Sequence, residues 1–331
     1  MGDEKVEIFI DCGAPSLYNS LMRKGKMSKG VHAGSFFSDR KFDDFSFVET
    51  EEYNLYREEY IQFLKDAGDR IVEYSNLDVI NNPKETWKNQ KLLEKRGLNP
   101  IPVYHLGCND NWLKRYLKEG YEHVAIGGIV PNPTRVVIPI LHRIWKEILT
   151  DSKGVPKVKV HGFAATSIDL MFLYPWYSVD STSWNILAIY GKIYVPRVEG
   201  GVPRYDKTPI SIAISKRASN VGQFVRHFSS LEETERKKLE EMFQAKGVPL
   251  GNSEFKIVDE NYELKKNERI CDYYEGGGKK KIEIYHEVGL CNDWRIRCVW
   301  NSYYFQEVEK QLSEKERLFC SLEMLDIVRG E

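Results

Sequence analysis

The sequence predicts an α/β fold of the TIM-type (β/α) barrel class, modified or shortened at its N-terminus and followed by an α+β region. Six apolar segments of strand length, separated by five helical patterns, precede residue 181, which is the order of a parallel sheet. Polar or small residues follow these segments, where the carboxyl ends of barrel strands would meet. Beyond Ser183 the pattern changes to strands and a hairpin. We therefore expect a barrel over residues 1–197 and an α+β region over residues 198–331, which could also complete the barrel.

The composition of the 331-residue chain limits the classes to which it can belong. Hydrophobic residues make up 42% of it, enough for a sizeable core, and no apolar run reaches the roughly 18 residues that a membrane span needs. The acidic start enters a strand pattern directly and does not resemble a secretory signal, so we expect a cytoplasmic protein. Six cysteines in that setting favour reduced thiols or metal ligands over disulfides. Because the net charge is −1, any polyanion must be held by local basic patches.

Hydrophobic periodicity predicts the elements of the first region in order. Strand patterns cover residues 6–10, 70–74, 101–104, 123–126, 158–160 and a segment that ends at residue 179. Helical patterns between them cover residues 51–66, 83–95, 110–119, 135–149 and 168–172. Pro83 fits the first turn of its helix, where no intrahelical N–H bond is lost.

The second region shows a different order of elements. Strand patterns cover residues 186–196 and 209–215, and the latter is a candidate to close the barrel. Helical patterns cover residues 231–246 and 303–317. Three glycines at residues 276–278, followed by three lysines, predict the tip of a hairpin.

Polar groups at the ends of five strands form the candidate site. They are Asp11, Asn76 with Asp78, His105, the backbone of Gly127 and Gly128, and Asp180. In a closed barrel these groups converge on one mouth. Two carboxylates there can divide the work, one as a nucleophile and the other as a proton carrier. Asp180 stands where an apolar run stops, so we assign it as the nucleophile. Taken singly, each carboxylate could instead cap the helix that follows it.

The long connection at residues 21–48 combines positive charge with aromatic side chains. Its candidate phosphate-binding residues are Arg23, Lys24, Lys26 and Lys29, with phenylalanines further along. Cations bind phosphates and aromatic rings stack on exposed bases, which makes the loop a candidate nucleic-acid surface. A solvated loop anchored by a few buried phenylalanines explains the same pattern, so both interpretations stay open.

Five motifs in order resemble those of the tRNA-guanine transglycosylase family. The DSGG-Q strand end of that family resembles VEIFIDCGAPSLYNSL here, and its VQGG and GGL strand pair resembles IPVYHLGCNDNWLKRYLKEGYEHVAIGGIV. Its strand pair with the nucleophilic aspartate is similar to KVHGFAATSIDL followed by YSVDSTSW. The hairpin and helix after its barrel resemble YGKIYVPR and VWNSYYFQEVEKQL. The resemblance covers residues 5–197 and, weakly, residues 290–315.

This resemblance implies a base exchange through a covalent glycosyl-enzyme, with no cofactor for the chemistry. Asp180 would attack C1′ of the target guanosine, and Asp11 would carry the proton for the departing and incoming bases. The residues that would line the purine pocket are Asn76, Asp78, His105, Gly127, Gly128, His161 and Gly162.

Departures from the tRNA enzymes favour a branch that acts on DNA. The chain begins almost at the Asp11 motif, Asn76 stands where the family has Asp, and His105 stands where it has Gln. The family's zinc signature is absent. A candidate structural zinc set remains within 28 residues, with buried thiols as the alternative, and consists of Cys271, His286, Cys291 and Cys298. With the basic, aromatic loop, these departures resemble the DpdA-type DNA guanine transglycosylases of phages and bacteria.

The sequence therefore predicts a pentosyltransferase that replaces guanine in DNA by a 7-deazaguanine of the preQ0 or preQ1 kind. Its expected partners are DNA, the free deazaguanine base and a second copy of the chain, without a membrane, in a bacterial or phage-infected cell. Two alternatives stay open: the same chemistry on tRNA, and a non-catalytic nucleic-acid-binding subunit of this fold. The presence of both Asp11 and Asp180 argues against the non-catalytic subunit.

Overall fold

The computed structural model describes residues 8–14, 16–17, 20, 45–218, 226–274 and 277–313. Its strands are β1 (Phe9–Ile10), β2 (Glu73–Tyr74), β3 (Val103–His105), β4 (His123–Gly127), β5 (Lys159–Gly162), β6 (Ser178–Val179), β7 (Lys192–Val195), β8 (Arg197–Glu199), β9 (Val202–Arg204), β10 (Ile210–Ala213), β11 (Asn252–Asp259), β12 (Glu268–Tyr273) and β13 (Lys279–Glu287). Its helices are α1 (Glu51–Ala67), α2 (Pro83–Lys95), α3 (Asn111–Lys118), α4 (Thr134–Ile144), α5 (Ile168–Leu173), α6 (Ser183–Ile189), α7 (Glu233–Ala245) and α8 (Trp294–Ser313). Within these ranges, no helix is long and apolar enough to cross a membrane.

The described residues up to Ser181 form one unit, built on parallel strands. β1 pairs with β2, and β3 to β6 pair in sequence order. A parallel bridge between Ser75 and Ile101 joins the two groups, so six strands follow one another across the sheet. Helices α1 to α5 occupy the five connections, which confirms the α/β class. The strands that the structure describes do not form a closed ring.

The contact between side chains of the first and fifth strands shows that this sheet is strongly curved. Phe9 on β1 stacks on His161 on β5, with ring centroids 4.3 Å apart. In a flat sheet these strands would lie about 19 Å apart, which is four spacings of about 4.8 Å. Phe9 and Phe163 also pack against a small buried cluster that includes Val103 and Ala125. The concave side of the sheet therefore has an apolar floor of its own.

Strand register decides which side chains share the concave side. Val103, Ala125, His161 and Ser178 are register partners in one row across β3 to β6. Successive residues of a strand point to opposite faces, so the adjacent row, which includes Gly162, points toward the helices. The stacking of His161 on Phe9 identifies its row as the concave one.

The main apolar core lies between the sheet and helices α3 to α5. Its fully buried side chains include Leu106, Leu113, Tyr116, Val124, Ile126, Val137, Leu141, Trp145 and Val160. Full burial of one such aliphatic side chain contributes about 1.5–3 kcal/mol. Strand β3 is buried along its length and β4 nearly so, as in parallel sheets that helices cover. This core holds in place the strand ends at which the candidate site residues stand.

The second unit, from Thr182 onward, is an α+β arrangement with antiparallel pairing. β7 pairs with β10, β8 pairs with β9, and β13 lies between β11 and β12. Helix α8 packs on α6 and β7. Asn301 on α8 donates to the carbonyl of Trp184 at 2.9 Å, and the indole of Trp300 donates to the carbonyl of Tyr194 at 2.7 Å. The antiparallel pairing of β12 with β13 confirms the hairpin predicted around the three glycines.

Three expectations about the end of the first region need correction. The strand predicted at residues 186–196 is helix α6 followed by β7, with Gly191 between them at φ 82°. Glycine adopts this left-handed conformation readily and therefore ends helices. The segment predicted at residues 209–215 contains β10, which pairs with β7 of its own unit rather than closing a barrel. Because β7 and β10 form one sheet, the boundary falls after Ser181 and not at residue 197.

Candidate active site

Asp180 follows β6, at the carboxyl end of the sheet where the sequence predicts a nucleophile. Its Oδ1 accepts a hydrogen bond from the backbone N–H of Ala164 at 2.8 Å, and Nε2 of His161 lies 3.9 Å from the same oxygen. The N–H of Asp180 donates to the carbonyl of Gly162 at 3.2 Å, which extends the β5–β6 pairing. In the described part of the chain, Oδ2 makes no hydrogen bond to another residue. One oxygen is thus held while the other can attack.

Ala164 donates its hydrogen bond from a strained backbone conformation. Its φ is 55°, and Asn81 is the other non-glycine residue with positive φ in the described ranges. The left-handed region costs a residue with a Cβ about 1–2 kcal/mol. Such strain persists where the surrounding structure fixes it, and it is common at functional sites. The turn after β5 tolerates this cost and directs an amide at Asp180.

Asp11 follows β1 and is the carboxyl group suited to carry a proton. Desolvation, together with the negative charges of Asp78 and Asp180, raises the pKa of Asp11 to about 6. The residue remains exposed, so protons from solvent reach it. Desolvation also raises the pKa of Asp180, against the opposing effect of the Ala164 N–H. Of the two, Asp11 is the group held near the pH at which a proton carrier works best.

Asp78 lies at the centre of a buried hydrogen-bond network. Its Oδ1 accepts from Sγ of Cys12 at 2.9 Å, and its Oδ2 lies 2.8 Å from Nε2 of His105. The backbone N–H of Cys12 donates to Oγ of Ser75 at 3.0 Å. Burial, reinforced by the charges of Asp78 and Asp11, raises the pKa of the Cys12 thiol well above its usual range. The thiol is therefore a donor that helps to hold Asp78 and not a nucleophile.

His161 is enclosed on the concave side, with 2% of its surface exposed. Its Nδ1 lies 2.8 Å from Oγ of Ser178, while Nε2 has no hydrogen-bond partner among the described residues. The ring stacks on Phe9 and meets Phe163 edge-on at 4.7 Å between centroids. Burial lowers the pKa of His161 to about 4, so the ring is neutral near pH 7.

Gly127 and Gly128 shape the site through the space they leave. A Cβ on Gly127 would lie 2.9 Å from Cδ2 of His105, so the absent side chain lets the imidazole reach Asp78. Gly128 has φ 78°, a conformation that glycine adopts without strain, and it lies against the backbone of Leu106. Gly127 therefore supports the His105–Asp78 pair, while Gly128 allows close packing on Leu106.

Two residues predicted to line the pocket are used elsewhere in the fold. A Cβ on Gly162 would meet Ala165 at 2.8 Å and Trp176 at 3.0 Å, so Gly162 faces the helices and not the concave side. The same contact places Trp176 in the main core. Asn76 is fully buried, and its amide donates to the carbonyl of Thr86 at 2.8 Å. A period-2 pattern does not say how far past the strand end the alternation continues, and Asn76 lies just beyond β2.

The basic residues of the candidate nucleic-acid loop, Arg23, Lys24, Lys26 and Lys29, lie outside the described residues. Their role in binding DNA stays a prediction.

The candidate zinc ligands are not brought together. They are Cys271, His286, Cys291 and Cys298. Sγ of Cys298 contacts Oδ1 of Asn185 at 3.1 Å, while Nε2 of His286 lies 3.6 Å from a carboxylate oxygen of Glu254. Across the ranges that the structure describes, no group of three or more His, Cys, Asp or Glu side chains could hold a metal ion. The sequence pattern therefore has no geometric counterpart there.

Four contributors to the site are missing from the sequence prediction. Phe9 and Ser178 each stand two positions before a site aspartate, a spacing that could have identified them as neighbours on one strand face. Cys12 gives no such signal, because a buried cysteine usually only packs. Ala164 gives none either, since alanine does not favour positive φ.

The arrangement combines a carboxylate with one held oxygen, a carboxyl group whose pKa is about 6, and a neutral, enclosed histidine. Such a pair of carboxyl groups can divide nucleophilic attack and proton transfer between them. None of the protein families, curated proteins and solved structures compared with this chain matches it.

Proposed function

We propose that this protein is a base-exchange transglycosylase that replaces guanine in DNA by a 7-deazaguanine. The observation that carries the proposal is the difference between two strand-end carboxyl groups: Asp180 has one oxygen held by Ala164, and the charge of Asp180 helps to raise the pKa of Asp11 to about 6. The motif resemblance to tRNA-guanine transglycosylases supplies the substrate class. We also infer that β1 to β6 belong to a TIM-type barrel, and the contact of Phe9 with His161 across the sheet supports this.

The exchange consists of two displacements at C1′ of the nucleotide. Oδ2 of Asp180 attacks C1′, and the electron pair of the C1′–N9 bond leaves with guanine, which takes the proton of Asp11. The incoming deazaguanine then gives its ring N–H proton to ionised Asp11 and attacks C1′. The electron pair of the ester bond returns to Asp180. Both carboxyl groups finish in their starting states, so the chemistry needs no oxidant, reductant or cofactor.

Covalent trapping on denaturing gels tests the proposal. The wild-type protein is incubated with labelled duplex DNA, single-stranded DNA or tRNA, and we expect a stable adduct with DNA. Asp180→Asn should form none, because an amide oxygen is a poor nucleophile at C1′. Asp169→Asn, which changes an exposed aspartate on α5, is the matched control and should trap like the wild type.

The gel outcomes separate the alternatives. An adduct with tRNA alone would show that the enzyme acts on tRNA and not on DNA. An adduct that survives in Asp180→Asn would move the nucleophile to another residue. The absence of an adduct with all three nucleic acids would contradict the proposed exchange activity and favour a non-catalytic binding subunit.

Protonation of Asp11 should control the first displacement. The proton that guanine needs is present below about pH 6 and is lost above it, so adduct formation should slow as the pH rises through about 6. Asp11→Asn should form adduct slowly at every pH, because an amide does not transfer this proton. Single-turnover rates over a pH series measure the effect. A rate that stays constant between about pH 5 and pH 8 would contradict the assignment.

A further inference from the structure

His161 is a site residue whose hydrogen bonding is incomplete. Nδ1 is paired with Ser178, but Nε2 is buried without a hydrogen-bond partner among the described residues. Leaving a buried polar atom unpaired costs about 1–3 kcal/mol. Within the site, the charged atom that faces it is Oδ1 of Asp180, at 3.9 Å. This distance is too long for a hydrogen bond and short enough to become one after a shift of about 1 Å.

Electrostatics favours one tautomer of this ring. If Nδ1 carried the proton, the lone pair of Nε2 would face the carboxylate of Asp180, which is unfavourable. If the hydroxyl of Ser178 donates to Nδ1, the proton lies on Nε2 and faces Oδ1. Because burial keeps the ring uncharged, Nε2–H is a neutral donor and does not form an ion pair with the carboxylate.

We propose that His161 is a positioning residue that stabilises Asp180 as the covalent intermediate breaks down, a role that rests on the proposed function. In the second displacement the ester bond between Oδ2 and C1′ breaks, and its electron pair returns to the carboxylate. The N–H of Ala164 already bonds Oδ1, and Nε2–H of His161 becomes the second donor to that oxygen. The first displacement removes negative charge from Asp180, so it does not benefit from this donor. Loss of the donor therefore slows the second displacement and not the first.

Matched variants separate this role from packing. His161→Phe keeps an aromatic ring against Phe9 and removes both nitrogens, whereas His161→Gln places an N–H near the position of Nε2. Ser178→Ala leaves Nε2 in place and removes the partner that fixes the tautomer. A residue that only packs would affect adduct formation and breakdown alike, and the phenylalanine would substitute for it.

Single-turnover kinetics with pre-formed adduct and a free deazaguanine base measure the two displacements separately. In His161→Phe, we expect adduct to form at a near wild-type rate and to break down about 10–100-fold more slowly, so that adduct accumulates. His161→Gln should break down within a few-fold of the wild type, and Ser178→Ala should lie between them. Wild-type breakdown in His161→Phe, or failure of the Gln variant to restore it, would overturn the proposal.

The tautomer of His161 can be measured without relying on the exchange reaction. Nitrogen NMR of histidine-labelled protein at neutral pH should show His161 as the neutral Nε2–H tautomer, with an Nε2 shift that changes in Asp180→Asn. If the wild type forms no adduct with any nucleic acid, the exchange function fails, and the tautomer still decides whether His161 faces Asp180 as a donor. A proton on Nδ1 alone, or a charged ring, would overturn the positioning role. Thermal unfolding of each variant checks that it is folded.

Discussion

At the scale of single residues, Asp11 shows how a carboxyl group with a raised pKa opposes stability. Its pKa in the folded chain is about 6, above the ordinary value of 3.8, so the fold favours the neutral form. Ionisation of Asp11 therefore destabilises the folded chain progressively as the pH rises from about 4 to above 6. Asp11→Asn removes this penalty, and we expect its Tm relative to the wild type to be higher at about pH 7.5 than at about pH 4.5.

Paired thermal scans at the two pH values test this expectation. Effects of the substitution that do not depend on pH cancel in the comparison, since they contribute equally to both differences. An identical difference in Tm at both pH values would mean that Asp11 titrates normally.

Asp78 allows a second prediction at this scale. It accepts from Cys12 through one oxygen and pairs with His105 through the other. Asn offers one acceptor and one donor, so Asp78→Asn would turn an NH2 group toward one of these donors. We expect urea unfolding to show a loss of about 1–3 kcal/mol. The exposed control Asp169→Asn should stay within about 0.5 kcal/mol of the wild type. Equal free energies of unfolding for the two variants would show that the hydrogen bonds of Asp78 do not stabilise the fold.

What the sequence predicts at this scale depends on strand ends. Asp11 and Asp180 could be predicted to lie near each other, because the carboxyl ends of parallel strands share an edge. The charge of Asp180 indeed contributes to the raised pKa of Asp11. The pairing of Cys12 with Asp78 could not be predicted, because it joins residues 66 positions apart through side-chain geometry. The burial of Asn76 could not be predicted for the same reason: its amide partner, Thr86, belongs to helix α2.

At the scale of elements, the turn between β5 and α5 holds Ala164 in a strained conformation that directs its N–H at Asp180. Ala164→Gly keeps the N–H that Asp180 accepts and removes the Cβ that makes φ 55° unfavourable. We expect the variant to be more stable by up to about 1 kcal/mol, since the gain is offset by the larger entropy of an unfolded glycine. Ala165→Gly, next to it, should be destabilised because Ala165 is fully buried in the core. Urea unfolding of both variants measures this contrast, and a destabilised Ala164→Gly would show that φ is not the cost.

Capping and turn residues determine which helices and strands can be predicted from the sequence. Helix α2 begins as predicted because Asn82 caps it through Glu85 N–H and Pro83 fits its first turn. The strand predicted at residues 186–196 is wrong because the apolar residues there suit a helix or a strand equally, and Gly191 divides them. Short apolar runs remain ambiguous between the two by periodicity alone.

At the scale of the whole molecule, curvature is the feature that no local pattern encodes. Six parallel strands follow from the alternation of strand and helix patterns, but the contact between Phe9 and His161 spans four strand spacings. That contact brings β1 and its Asp11 to the side of the sheet where Asp180 lies. The candidate site therefore depends on long-range packing, although each of its carboxylates could be predicted from its own strand.

The proposed exchange requires a nucleotide to reach this concave side of the sheet. Asp180 stands at the end of β6 beside the enclosed ring of His161. Enzymes that act on a base generally cannot reach their target atom while the base is stacked in a duplex. In the proposed exchange the target guanosine must leave the stack, which costs a few kcal/mol and is cheapest at a mismatch or in a single strand. We therefore expect exchange at least about tenfold faster at a mismatched guanine than at the same guanine in a perfect duplex, since each 1.4 kcal/mol is a factor of ten. Single-turnover incorporation of a labelled deazapurine into matched, mismatched and single-stranded oligonucleotides measures it, with Asp180→Asn as the inactive control. Equal rates in all three would show that base extrusion does not limit the reaction, and incorporation into tRNA alone would replace DNA as the substrate.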